Sequence, residues 1–199
     1  MKKQLALFLL LLSLSSWCHP GVVYTDAPSH RAKIASEWIN KKYTERWKGY
    51  KALTDERALL YAMLIEKYCA LYDLDFDREL PRLSWEKSFI NGIADQDLPT
   101  YKWAFGIGNI WISEAKDEAK YMGMPATFTA HDLIINPELN ISLALHEMSR
   151  MIKKCGDVEK AEMIFNVGDQ GYKNGVRTNY PADISAIESE WKAFEKRHR

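Results

Sequence analysis

Glu86 is the residue best placed by type and surroundings to do chemistry. It follows Leu83, Ser84 and Trp85 and precedes Phe89 and Ile90. A carboxyl group held among apolar side chains keeps its proton more readily than one in water, the property a general acid needs. Other candidates carry less. His146-Glu147 opens like a His-Glu-x-x-His zinc helix, but position 150 is Arg rather than His, so one helix face offers a single imidazole ligand. No metal is expected there, and Glu147 with Arg150 reads as a surface ion pair three residues apart. Gly106-x-Gly108 is too short for a dinucleotide fingerprint, and no Gly-x-Ser-x-Gly elbow is present. Of the cysteines, Cys69 and Cys155 can form one disulfide in an oxidising compartment or remain buried thiols, and their spacing decides neither.

The elements that must position these groups read as helices. Ser29 is a cap for a helix through Ile34, Trp38 and Ile39, and Thr54 or Asp55 caps a second with Leu60, Leu64, Tyr68 and Leu71 along one face. After an acidic link from Asp73 to Asp77, Pro81 suits the first turn of the helix carrying Glu86. Residues 91–108 are rich in breakers and read as loop. A helix from about Ile110 to Met122 stops at Gly123. Pro137 opens another, with the stripe Ile141, Leu145, Met148, Ile152 and Cys155 at helical spacing. Asp157 caps a helix through Phe165, a glycine-rich loop covers Gly168 to Gly175, and Pro181 starts a final helix through Trp191. Strand signals are few.

The chain has 199 residues, 47% hydrophobic and 27% charged, which suits one globular domain with a core of its own. Lys plus Arg and Asp plus Glu both number 27, so there is no basic excess for a nucleic-acid backbone. Lys2 and Lys3 precede a leucine-rich run from Leu5 to Leu14 with Ser15 and Ser16 after it, the pattern of a secretory leader over residues 1–18. The run is about half the roughly 20 residues that span a bilayer. A lipoprotein reading through Cys18 is disfavoured by Trp17, because a small residue normally precedes a lipid-bearing Cys. The organisation expected is a leader over 1–18, an extension with one helix over 19–54, and a helical domain over 55–199.

Four segments in order resemble the lytic transglycosylase domain of the lysozyme-like superfamily, glycoside hydrolase family 23. Leu83-Ser84-Trp85-Glu86-Lys87-Ser88-Phe89 is similar to the stretch in which the family's catalytic Glu is followed by Ser-Gly-Phe. Gly106-Ile107-Gly108-Asn109-Ile110 resembles Gly-Leu-Met-Gln-Ile, and Asn136-Pro137-Glu138-Leu139-Asn140-Ile141 resembles Asp-Pro-x-x-Asn-Ile. Phe165-Asn166-Val167-Gly168 resembles Tyr-Asn-Ala-Gly, and Tyr180 with the helix after it stands where the family has a Tyr and a closing helix. The chain departs from the pattern at Asn109 for Gln, Gly108 for Met, Phe165 for Tyr, and in a longer segment between Glu86 and Gly106 that holds Asp95 and Asp97.

The resemblance implies a mainly α, lysozyme-like domain with a catalytic cleft and little or no β. It implies cleavage of the β-1,4 bond between N-acetylmuramic acid and N-acetylglucosamine with formation of 1,6-anhydromuramoyl ends, using neither cofactor nor metal. Glu86 would serve as acid and then base. Asn166 and Tyr180 would orient Glu86 or the sugar, and Gly106 and Asn109 would hold N-acetyl groups. The partner implied is the peptidoglycan glycan strand in the periplasm, met by a monomer, with a cell-envelope secretion or appendage machine as a further partner class and nucleic acid excluded. Two alternatives stand beside it: an inactive wall-binding or scaffold module, and a muramidase in which Asp95 or Asp97 activates water.

Overall fold

The computed structural model describes residues 27–48, 53–87, 89 and 104–199. The leader over 1–18 and the segment with Asp95 and Asp97 lie outside them. The described chain is mainly α, with eight helices and one two-stranded ribbon. In chain order these are α1 (His30–Arg46), α2 (Asp55–Tyr72), α3 (Phe76–Lys87), β1 (Ala104–Phe105), β2 (Ile110–Trp111), α4 (Ile112–Tyr121), α5 (Ala130–Ile135), α6 (Pro137–Cys155), α7 (Val158–Lys173) and α8 (Tyr180–His198).

Side-chain oxygens set most of the starts. Ser29 caps α1 by accepting from the Ala32 N–H, Thr54 caps α2 from Arg57, Asn136 caps α6 from Leu139, and Asp157 caps α7 from Lys160. Each satisfies a backbone donor that the first helical turn leaves free. Gly156 ends α6 in the left-handed conformation, at φ 69°.

Two expectations are corrected. The acidic link is shorter, and α3 starts at Phe76 because Asp75 closes the first turn, its Oδ1 accepting from the Asp77 N–H at 2.9 Å. Pro81 therefore lies inside α3 rather than at its start. The stretch from Gly168 is not a loop: α7 runs on to Lys173 across a break at Gly168, whose φ 74° and ψ 156° are non-helical. A single glycine absorbs the change of direction, and the helix resumes after it.

One large core joins α1, α2, α3, α6 and α8. Trp38 of α1 and Trp191 of α8 meet edge to face at 5.6 Å, and Phe89 packs on Trp38 at 6.1 Å. α1 is thus built into the same core as the helices after residue 54. Cys69 is buried in this core as a free thiol, where burial pushes its pKa well up, and Cys155 is a free thiol at the end of α6. A smaller apolar cluster around Phe105, Ile110, Leu133 and Leu143 holds the ribbon and α5.

α6 is the central helix and is buried on most sides. The turn between β1 and β2 lies flat against it. Asn140 accepts from the Gly108 N–H at 2.6 Å and donates to the Phe105 carbonyl at 2.9 Å. This close approach explains the two glycines. A Cβ at Gly108 would stand 2.4 Å from Ala144 Cβ, and one at Gly106 would stand 2.4 Å from Asn140 Nδ2. Gly108→Ala is therefore expected to cost about 2 kcal/mol through overpacking. In a chain of this size that lowers Tm by about 4–8 °C, measurable by circular dichroism.

Candidate active site

Glu86 sits on the last turn of α3, and contacts at both ends fix that helix. Behind it, Phe89 is buried against Trp38. At the other end of α3, Arg78 donates to both carboxylate oxygens of Glu162 at 2.6 Å, to Glu188 at 2.8 Å and to Ser185 at 2.7 Å. Burial opposes the Arg78 charge, but the two carboxylates outweigh it and raise its pKa. This clamp ties α3 to α7 and α8, the helices that carry Asn166 and Tyr180.

The Glu86 carboxylate receives two donors from distant parts of the chain. Asn109 Nδ2 donates to Oε2 at 2.8 Å, and the Tyr180 hydroxyl donates to Oε1. Tyr180 is buried, and burial, followed by the nearby Glu86 charge, raises its pKa well above the usual value, so the hydroxyl stays protonated as a donor. Asn109 reaches its place from the turn held by Asn140, with the left-handed φ of 51° that Asn tolerates. Its Oδ1 is buried without a partner among the described residues. Beneath the pair, Arg82 is fully buried, donates to Glu79 at 2.7 Å and lies 5.0 Å over the Phe165 ring. Phe165 in turn packs on Tyr180 at 6.3 Å.

The carboxylate opens onto a cleft of about 570 Å³ whose walls include Asn109, Trp111, Glu147, Phe165 and Asn166. Trp111 is 40% exposed there, which leaves part of the indole open to an apolar group in the cleft. Glu86, Asn109 and Tyr180 are thus joined directly by hydrogen bonds. Asn166 lines the cleft but makes no hydrogen bond among the described residues. Tyr180 lies behind the carboxylate, not on the cleft wall. Gly106 is also off the wall, and its contact is with Asn140.

Sequence reasoning missed Glu147. The surface pair with Arg150 does not form. Arg150 turns to Glu118, with Nε 2.8 Å from Oε1, and His146 Nδ1 takes the other Glu118 oxygen at 2.8 Å. Glu147 is only 7% exposed, lines the cleft, and has Oε2 buried with no partner among the described residues. Burial first, and then the charges of Glu114 and Glu118, push its pKa up to about 8. Glu114, on the same cleft wall, is also raised, chiefly by burial. The pattern that marks Glu147 is its phase: Asn140, Ala144, Glu147 and Met151 form a helical stripe of their own, beside the apolar one. No family model, curated protein or solved structure matches the chain.

Proposed function

We propose that the chain is a peptidoglycan lytic transglycosylase that cuts the N-acetylmuramic acid–N-acetylglucosamine β-1,4 bond. The observation that carries this reading is the convergence of Asn109 and Tyr180 on the Glu86 carboxylate at the edge of an open cleft. One carboxyl group is enough for the reaction. Glu86 gives its proton to the leaving O4 as the bond to C1 breaks. The C6 hydroxyl of the same muramoyl residue then closes onto C1 and returns a proton to Glu86. The nucleophile is tethered, so its effective concentration is high and no second carboxylate need activate water.

In this scheme Asn109 and Tyr180 hold the carboxyl so that both proton transfers run along one line. Asn109 touches the acid directly and keeps its second N–H and Oδ1 for other work. Arg82, buried beneath, supplies a fixed positive charge when Glu86 has lost its proton. The cleft aromatics and Asn166 face the glycan. A periplasmic location, and a role beside a cell-envelope secretion or appendage machine, belong to the same proposal.

Incubation of purified protein with sacculi, followed by mass spectrometry of the released fragments, tests it. Muropeptides with 1,6-anhydro ends are expected. Reducing muramic ends would instead select a muramidase, and binding without release would select an inactive wall-binding module. A hydrolase would need a second carboxyl; among the described residues Glu114, Glu147 and Asp169 line the cleft, and burial raises the pKa of the first two, which disfavours them as bases at neutral pH.

Tyr180→Phe isolates the positioning role. Losing one hydrogen bond to a carboxylate corresponds to about 10- to 50-fold in kcat. KM is expected to stay within about twofold, because Tyr180 lies off the cleft wall. A matching rise in KM would place Tyr180 on the substrate instead.

A further inference from the structure

We propose that Glu147 is a specificity residue of the cleft, whose carboxyl group donates a hydrogen bond to an N-acetyl carbonyl oxygen of the bound glycan. This rests on the glycan reading of the site. The side chain is more than nine-tenths buried, yet it lines the cleft, and its Oε2 has no partner among the described residues. A buried carboxyl without a partner is costly unless something outside the chain supplies one.

The groups facing Glu147 define what that partner is. α4 presents Glu114 and Glu118, α3 presents Arg82, and its own helix presents Arg150. Neither cation hydrogen-bonds to it, although Arg82 Nη1 and Nη2 also have no partner among the described residues. Arg150 donates to Glu118 through Nε and Nη2, and Arg82 donates to Glu79. Burial first, and the acidic neighbours after it, favour the carboxylic acid form at neutral pH. A carboxylic acid carries an O–H donor. Arg150 and Lys154 also line the cleft, but Glu114 and Glu118 beside Glu147 favour an uncharged acceptor at that spot over an anionic one. Among glycan groups the amide carbonyl is the strongest uncharged acceptor, and Trp111 on the same wall can cover the acetyl methyl.

The test uses the full chain carrying Glu86→Gln, so that sugar is bound and not cut. Binding of tetra-N-acetylchitotetraose and of cellotetraose is measured by calorimetry at pH 6 and pH 9. The parent is expected to bind the N-acetylated sugar about tenfold more weakly at pH 9 than at pH 6, as Glu147 ionises. Adding Glu147→Gln, which keeps an N–H donor, is expected to hold affinity within about threefold at pH 6 and to remove the pH dependence. Adding Glu147→Leu is expected to lose about tenfold at pH 6, with circular dichroism confirming the fold.

Unchanged affinity in the Leu variant would overturn the proposal while leaving the transglycosylase reading intact. So would cellotetraose binding as tightly as the N-acetylated sugar. If the parent binds no N-acetylated oligosaccharide but wild-type protein still releases anhydromuropeptides from sacculi, only the Glu147 assignment falls. If both fail, both readings fall.

Discussion

Glu86→Gln is expected to lower the release of anhydromuropeptides by about 1,000-fold or more while leaving the protein folded. A positioned general acid contributes about 10²–10⁴-fold, and in the proposed reaction the same group would act twice, first as acid and then as base. Gln matches Glu in shape and still offers one oxygen to the donors at Asn109 and Tyr180. What it lacks is a proton to give. The readout is the initial rate of release from sacculi, with Tm as the control for structure. Glu86→Asp is a sharper companion. It keeps the proton but withdraws the carboxyl by one methylene from both donors, and a misplacement on the order of 1 Å can cost about 10²-fold. A Gln variant that retained a tenth of the wild-type rate would remove Glu86 from the chemistry. A Gln variant that lost its rate only because Tm collapsed would leave the Asp variant to decide.

The parts of this site differ in how far sequence could reach them. The helix starts were legible because caps are local: Ser29, Thr54, Asn136 and Asp157 each accept from a backbone N–H about three residues on. Glu86 and Tyr180 are 94 positions apart, and the pair became visible only through the ordered motifs around them. Their hydrogen bond depends on the Arg78 clamp, whose partners at Glu162, Ser185 and Glu188 lie in two other helices. No periodicity announces such a clamp. Pro81 was misplaced because a proline usually marks a first turn, whereas the cap at Asp75 starts α3 earlier and the buried face of Leu80 and Leu83 holds it together. Gly168 was read as the start of a loop because a glycine in a helical pattern looks like a stop, while the structure uses it as a break within α7. Glu147 was hidden by its neighbour. With Arg150 three residues on, the pair has the look of a solvated face, and only packing shows that Glu118 has taken the arginine.

Glu147 also has a consequence for stability that is separate from sugar binding. In the unfolded chain its pKa returns to about 4.3, the value of a free Glu, while in the folded protein it is raised to about 8. Between those values the unfolded state has lost the proton and the folded state still holds it. The contribution of this group is therefore most favourable to the folded state below about pH 4 and declines as pH rises through this window. Above about pH 8 both states are ionised and the decline stops, the folded state carrying the full cost of a buried unpaired carboxylate. Glu147→Gln removes the titration and keeps the shape. The variant is expected to be more stable than wild type at neutral pH, by about 3 kcal/mol at pH 7, with the gap narrowing towards pH 5. Urea unfolding at pH 5, 7 and 8.5 measures it, and the slope with pH is the decisive quantity. Equal pH dependence in the two proteins would mean that Glu147 ionises normally in the fold, and that the acidic wall formed with Glu114 and Glu118 is better hydrated than its burial implies. A side chain that weakens the fold at neutral pH, on the wall of the cleft that Glu86 faces, is consistent with the binding role proposed for it, since a partner supplied by the ligand would offset that cost.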